Sequence, residues 1–146
     1  MIPVDKRPIT NKILKDSTIA QIAQAYFMIS KRLEQKTGCS VARGFILSTL
    51  RGGASLNQNQ IAKLLDFDRT VVHRSVKRMI KEGLLTERKA DSGRALLVEL
   101  TAKGNKYREY LIKERRAVDE KLRKVLKPGE ISTLSRLLDI VAALEI

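Results

Sequence analysis

The stretch "NQNQIAKLLDFDRTVVHRSVKRMIKEG", residues 57–83, decides the fold. Asn57 followed by Gln60 has the spacing of a capping box, so a short helix starts there and runs through "QNQIAKLL". Asp66 and Phe67 lie in a brief turn, and Asp68 is placed to cap a second helix, "RTVVHRSVKRMIKEG", which Gly83 stops. Two helices joined so closely make a helix-turn-helix. At about 100° per residue, Val72, Val76, Met79 and Ile80 gather on one face of the second helix. Thr70, Arg74, Lys77, Arg78 and Lys81 gather on the other, with Val71 and His73 at the margins and Arg69 nearer the apolar side.

That cationic face carries no carboxylate until Glu82. A face that is merely solvated would mix Glu with Lys in i,i+4 pairs, so the pattern predicts a helix that lies against a polyanion. In such a unit the second helix enters the DNA major groove by its N-terminal end. Arg can grip guanine O6 and N7 there, and small apolar groups can meet thymine methyls. Thr70, Val71 and Arg74 are the right types for base edges, while Arg69, Lys77 and Lys81 suit phosphates. His73 stands either in a groove-facing hydrogen-bonding role or in a passive half-exposed position.

Downstream the periodicity changes. "LLTERKA" and "ALLVEL" read as two strands around the turn "DSGR", with Leu96, Val98 and Leu100 forming one apolar face. Asp91-Ser92-Gly93 is turn chemistry, with Gly93 able to take a positive φ. Arg88, Lys89 and Arg94 bracket it, and a hairpin tip carrying Arg can lie along a neighbouring minor groove. The alternative is a charged edge that resists aggregation.

Upstream, Asp16 and Ser17 can cap a helix with apolar positions at Ile19, Ile22, Ala23, Tyr26, Ile29 and Leu33, ended by Gly38. Ser40 opens the next, through "VARGFILSTLR", closed by Gly52-Gly53. After the hairpin, Thr101 caps a long helix to about Leu126, and Lys127-Pro128-Gly129 breaks it. A final helix carries Ile131, Leu134, Leu137, Leu138, Val141, Ala142 and Leu144. The expected fold is therefore mainly α with a two-stranded wing, a winged helix, in one domain over residues 1–146. Residues 16–56 form its first two helices, 57–100 the helix-turn-helix and wing, and 101–146 its last two helices.

Composition narrows the function. The chain has 146 residues and a formal net charge of +13, which points to an anionic partner. Residues 101–127 hold ten basic and four acidic side chains, whereas residues 128–146 hold one and three. Aromatics are only 4% and Trp is absent, which argues against a stacking platform for single strands. One cysteine excludes an intrachain disulfide framework and a Cys-based zinc cluster. One histidine excludes a multi-His metal site, and no nucleophile–base pair or phosphate-cradling Gly loop appears, so neither an enzyme nor a cofactor is expected. The start "MIPVDKRPITNK" lacks an apolar core of signal-peptide length, and no run of 18 apolar residues occurs, so a soluble cytoplasmic protein is expected.

The segment Leu56–Gly104 resembles the signature region of the MarR family of winged-helix transcription regulators. The likeness rests on the "LNQNQIAKLL" helix, the "DRTVVHRSVKRM" helix, the "KEGLLTER" entry to the wing and the "LTAKG" exit. "KPGEISTLSRLLDIV" is similar to that family's last helix. The resemblance implies a homodimer built from the first and the last two helices, with two winged units reading a pseudo-palindromic operator in double-stranded DNA. It places Arg69, Thr70, His73, Arg74 and Lys77 at recognition-helix positions and makes Arg94 the wing arginine. The tip departs from the family's usual Asp-Arg-Arg run, leaving Asp91 and Arg94 of "DSGR" as counterparts. Many relatives bind small aromatic or lipophilic effectors, so the resemblance implies a ligand-responsive repressor. Others sense oxidants through a cysteine in the first helix, but Cys39 lies in the turn before the second and reads as a buried or half-buried filler. The competing readings are a non-specific architectural DNA-binding protein and a winged-helix subunit that contacts only proteins.

Overall fold

A computed structural model describes residues 12–146. The order is α1 (Lys12–Lys15), α2 (Thr18–Thr37), α3 (Val41–Thr49), α4 (Gln58–Leu65), α5 (Arg69–Lys81), β1 (Leu85–Lys89), β2 (Leu96–Leu100), α6 (Ala102–Val125) and α7 (Pro128–Ala142). The short α1 precedes the first helix read from the sequence. The chain divides into two compact units, one ending at Arg108 and one spanning Glu109–Ile146.

Local chemistry sets the boundaries in the first unit. Ser17 caps α2 by accepting from the Ala20 amide at 3.1 Å, and Gly38 ends it in the left-handed region at φ 71°. Ser40 caps α3 in the same way through the Arg43 amide. That helix ends at Thr49, earlier than the Gly52-Gly53 stop expected. Those two glycines form a 3-10 turn, with φ of 66° and 73°, that redirects the chain. The capping box at α4 is complete: Asn57 accepts from the Gln60 amide at 2.8 Å, and Gln60 returns the bond to the Asn57 amide at 2.9 Å. At the other end of α4, Asp66 takes φ 53°, a left-handed conformation that Asp tolerates better than most side chains.

Ile46, Leu47 and Leu50 from α3 and its end, Ile61 from α4, Val72, Val76 and Met79 from α5, Leu85 from β1 and Val98 from β2 are all fully buried. Burying each such side chain is worth about 1.5–3 kcal/mol. The stripe Val72–Val76–Met79 is thus the buried face of α5, which leaves its opposite face to solvent. The strands pair antiparallel with Leu85 opposite Leu100 and Lys89 opposite Leu96. Leu56 adds a bridge to Val98, exchanging backbone bonds of 3.2 and 2.7 Å. The apolar face expected on β2 is buried only at Val98, because toward the tip Leu96 is 46% exposed. The tip turn closes through Gly93 N–H to the Ala90 carbonyl at 3.4 Å and Ala90 N–H to the Ala95 carbonyl at 2.9 Å. Gly93 does not use the positive φ open to it; the glycines that adopt one are Gly38, Gly52, Gly53 and Gly83.

The second unit holds the later turns of α6 and all of α7. Pro128 occupies the first turn of α7, where its missing N–H costs nothing. Leu111 is the one buried hydrophobic of residues 109–146, whereas Leu134, Leu137, Leu138 and Ile140 are exposed. Leu144 is exposed too and lies past the end of the helix that was expected to carry it. No helix among the described residues is long and apolar enough to cross a membrane.

Candidate nucleic-acid interface

The first unit builds α5 with one end fixed and one end presented. At the fixed end Glu82 accepts from Arg43 at 2.7 Å and from Arg78 at 2.9 Å. Arg43 comes from α3 and is only 8% exposed, so this ion pair ties the first turns of α3 to the last turn of α5. Lys103 donates to the Glu82 carbonyl at 2.8 Å, and the Thr101 hydroxyl donates to the Gly83 carbonyl at 2.6 Å. Thr101 also accepts from the Gly104 amide at 3.0 Å, which starts α6.

At the presented end, Asp68 caps α5 by accepting from the Thr70 amide at 2.7 Å. That backbone hydrogen bond, with a second from the Thr70 side chain, holds its carboxyl below the usual aspartate value. Arg69, Thr70, Val71, His73, Arg74, Lys77 and Lys81 are all exposed. Among the described residues, Arg69, Arg74, Lys77 and Lys81 make no ion pair, so their charge is uncompensated. Arg78 shares the face of Arg74, Lys77 and Lys81 but is paired with Glu82.

A notch of about 340 Å³ opens between the starts of α4 and α5, lined by Gln58, Asn59, Arg69, Thr70 and His73. The sequence reading did not single out Gln58 or Asn59. Gln58 links three elements: its Oε1 lies 3.1 Å from His73 Nδ1 on α5, and its Nε2 donates to Glu87 on β1 at 3.3 Å. Nothing local reveals this, since the three residues meet only when β1 folds back beside α4.

The wing cations divide. Arg88 donates its Nε–H to Glu99 across the sheet, and Ser55 donates to the same carboxylate oxygen at 2.5 Å. The Ser55 bond, then Arg88, holds the Glu99 carboxyl below the usual glutamate value. Lys89 and Arg94 are exposed and make no ion pair among the described residues. Asp91 likewise makes no pair with Arg94. Cys39 is buried, and burial pushes its thiol pKa up against the opposing pull of Arg43 and Tyr107.

Comparison with known proteins gives the same architecture. A family model described as "MarR family" matches residues 38–95. A search of curated proteins finds no match. Among solved structures, the chain is similar to a probable transcriptional regulator from Pseudomonas aeruginosa at 26% identity and a TM-score of 0.76, covering 86% of this chain and 98% of that one. It shares its fold with a MarR mutant from E. coli complexed with operator DNA, at 20% identity and a TM-score of 0.76, over 90% of this chain and 99% of that one. It also shares it with the PcaV regulator from Streptomyces coelicolor in complex with its natural ligand, at 19% identity and a TM-score of 0.78, over 87% and 93%. The family-model match spans α3 through β1, and over most of its length the chain is similar in fold to these winged-helix regulators.

Proposed function

We propose that the protein is a homodimeric transcription regulator that binds a pseudo-palindromic operator in double-stranded DNA and acts as a ligand-responsive repressor in the cytoplasm. The observation that carries this is the presented end of α5: Arg74, Lys77 and Lys81 on one exposed face, with Arg69 at the capped helix start, all without ion-pair partners among the described residues. In this reading Thr70, Val71, His73 and Arg74 face base edges, and Arg69, Lys77 and Lys81 reach phosphates. Lys89 and Arg94 extend the wing toward a minor groove. Arg88 takes part with a head group already shared with Glu99.

Dimerisation is supported by the apolar residues that α7 leaves exposed, and α2 together with residues 101–146 supplies the interface. Regulation by a small aromatic or lipophilic effector is supported by the PcaV structure, which was determined with a natural ligand. Selection of bound sequences from random duplex DNA tests the proposal: it should return a dyad motif with half-sites about 10 base pairs, or a multiple, apart. The ten basic side chains of residues 101–127 favour a second reading, a non-specific architectural protein. Selection that returns no motif, with binding retained, would decide for that reading.

A further inference from the structure

The link Glu87–Gln58–His73 has a direction, and the direction follows from what each group can do. A carboxylate only accepts hydrogen bonds. The Gln58 atom that faces Glu87 at 3.3 Å is therefore the amide nitrogen, since two oxygens there would repel. The amide oxygen then faces His73 Nδ1 at 3.1 Å, and an oxygen acceptor requires a proton on that nitrogen. We infer that Glu87 and Gln58 hold the neutral His73 ring as its Nδ1–H tautomer, so that a bare Nε2 stands on the exposed face of α5 as a hydrogen-bond acceptor. Gln58 is thus a positioning residue for His73.

The consequence rests on the proposed reading of α5 as the DNA-facing helix. Arg69, Arg74, Lys77 and Lys81 offer only donors. Acceptors in the major groove, guanine O6 and N7 above all, suit those cations, but the amino groups of adenine and cytosine need an acceptor from the protein. Apart from the Thr70 hydroxyl, His73 Nε2 is the acceptor that the exposed side chains of α5 from Arg69 to Lys81 supply. Its ligand is an exocyclic amino group of adenine or cytosine, one per half-site. The charged groups around the ring are Arg69 and Lys77, one turn away on either side along α5, and Glu87 from β1 acting through the amide; α4 contributes the neutral Gln58 and Asn59.

His73 is the only histidine in the chain, so its ring nitrogens can be read without assignment ambiguity. Long-range proton–nitrogen correlation spectra of the uniformly 15N-labelled free protein at alkaline pH should show Nδ1 protonated and Nε2 bare. Gln58→Ala and, separately, Glu87→Ala should return the ring toward the Nε2–H form that predominates in free imidazole side chains. A wild-type spectrum dominated by Nε2–H, or one that neither substitution changes, overturns the inference, and neither outcome depends on DNA binding. On a selected operator, Gln58→Ala should then weaken binding by about 3- to 10-fold while leaving scrambled duplex nearly unaffected. Equal losses on both would remove Nε2 as a base reader. A wild type with no preference between the two duplexes would instead sink the operator reading, and the spectra would still decide the tautomer.

Discussion

Side chains of the same charge have different work on α5, and their partners decide which. Arg78 is committed to Glu82, whereas Arg74 lies one turn earlier, exposed and without an ion pair. Arg74→Ala is expected to cost about 1–3 kcal/mol on the true operator and to relax preference at one base pair of each half-site. Lys81→Ala, at the last turn of the helix, should weaken operator and scrambled duplex alike and only slightly. Paired titrations at fixed salt check this; equal losses for Arg74→Ala on both duplexes would mean that it does not read bases. Asp68 carries a pH prediction. Its carboxyl is held below the usual value by the Thr70 amide, so it favours the folded state above the unfolded value of about 3.9. That stability is lost as pH falls from there through the lower folded value. Asp68→Asn keeps a cap and removes the titration, so its denaturation midpoint should fall less than that of the wild type on acidification through this range.

Each element boundary in the winged region is a local device, but their spacing depends on close approaches between elements. Gly104 shows this. It sits in the first turn of α6, buried, where an added Cβ would come within 1.9 Å of the Leu84 carbonyl oxygen. That atom is backbone, held by the Thr101 amide at 3.1 Å, and cannot swing aside. Gly104→Ala is therefore expected to destabilise the fold by about 1–3 kcal/mol, as overpacking does. Urea denaturation of the variant checks it, and an unchanged midpoint would show that α6 can slide along the wing. Asn57→Ala opens the capping box at α4 and should cost about 1 kcal/mol. It also loosens the helix that carries Gln58.

Exposed apolar surface is the main feature that a single copy leaves unresolved. Leu138 is 48% exposed, and Leu134, Leu137 and Ile140 are exposed with it on α7. Replacing Leu138 and Val141 together with Asp should yield monomers or insoluble protein. A wild type that sediments as a monomer at micromolar concentration would remove the dimer from the proposal. The net charge of +13 makes a second prediction for the whole molecule. With roughly 6–10 phosphate contacts per dimer, DNA affinity should drop by about 10³ to 10⁵ between 50 and 200 mM salt. A nearly flat response would favour a winged-helix subunit that contacts proteins.

The sequence by itself determined the elements. Ser17, Ser40, Asn57 with Gln60, Asp68, Thr101 and Pro128 mark helix starts, and Gly38 and Gly83 mark stops, because capping is satisfied within a few residues of chain. The Val72–Val76–Met79 stripe told which face of α5 is buried and so which cations are presented. Charges alone could not tell which of those cations are free, because that depends on partners far away in the chain. Only the tertiary structure brought Arg43 to Glu82, Glu99 to Arg88 and Ser55, and Leu56 to Val98. It likewise brought Gln58 between His73 and Glu87, residues that no local period connects. Turn geometry was also decided there: Asp66 took the left-handed conformation and Gly93 did not, because the tip of the wing closes through the Ala90–Ala95 bond without it. Local rules fix where an element begins and which face it buries, whereas pairing between side chains is fixed by which elements the hydrophobic core pulls together.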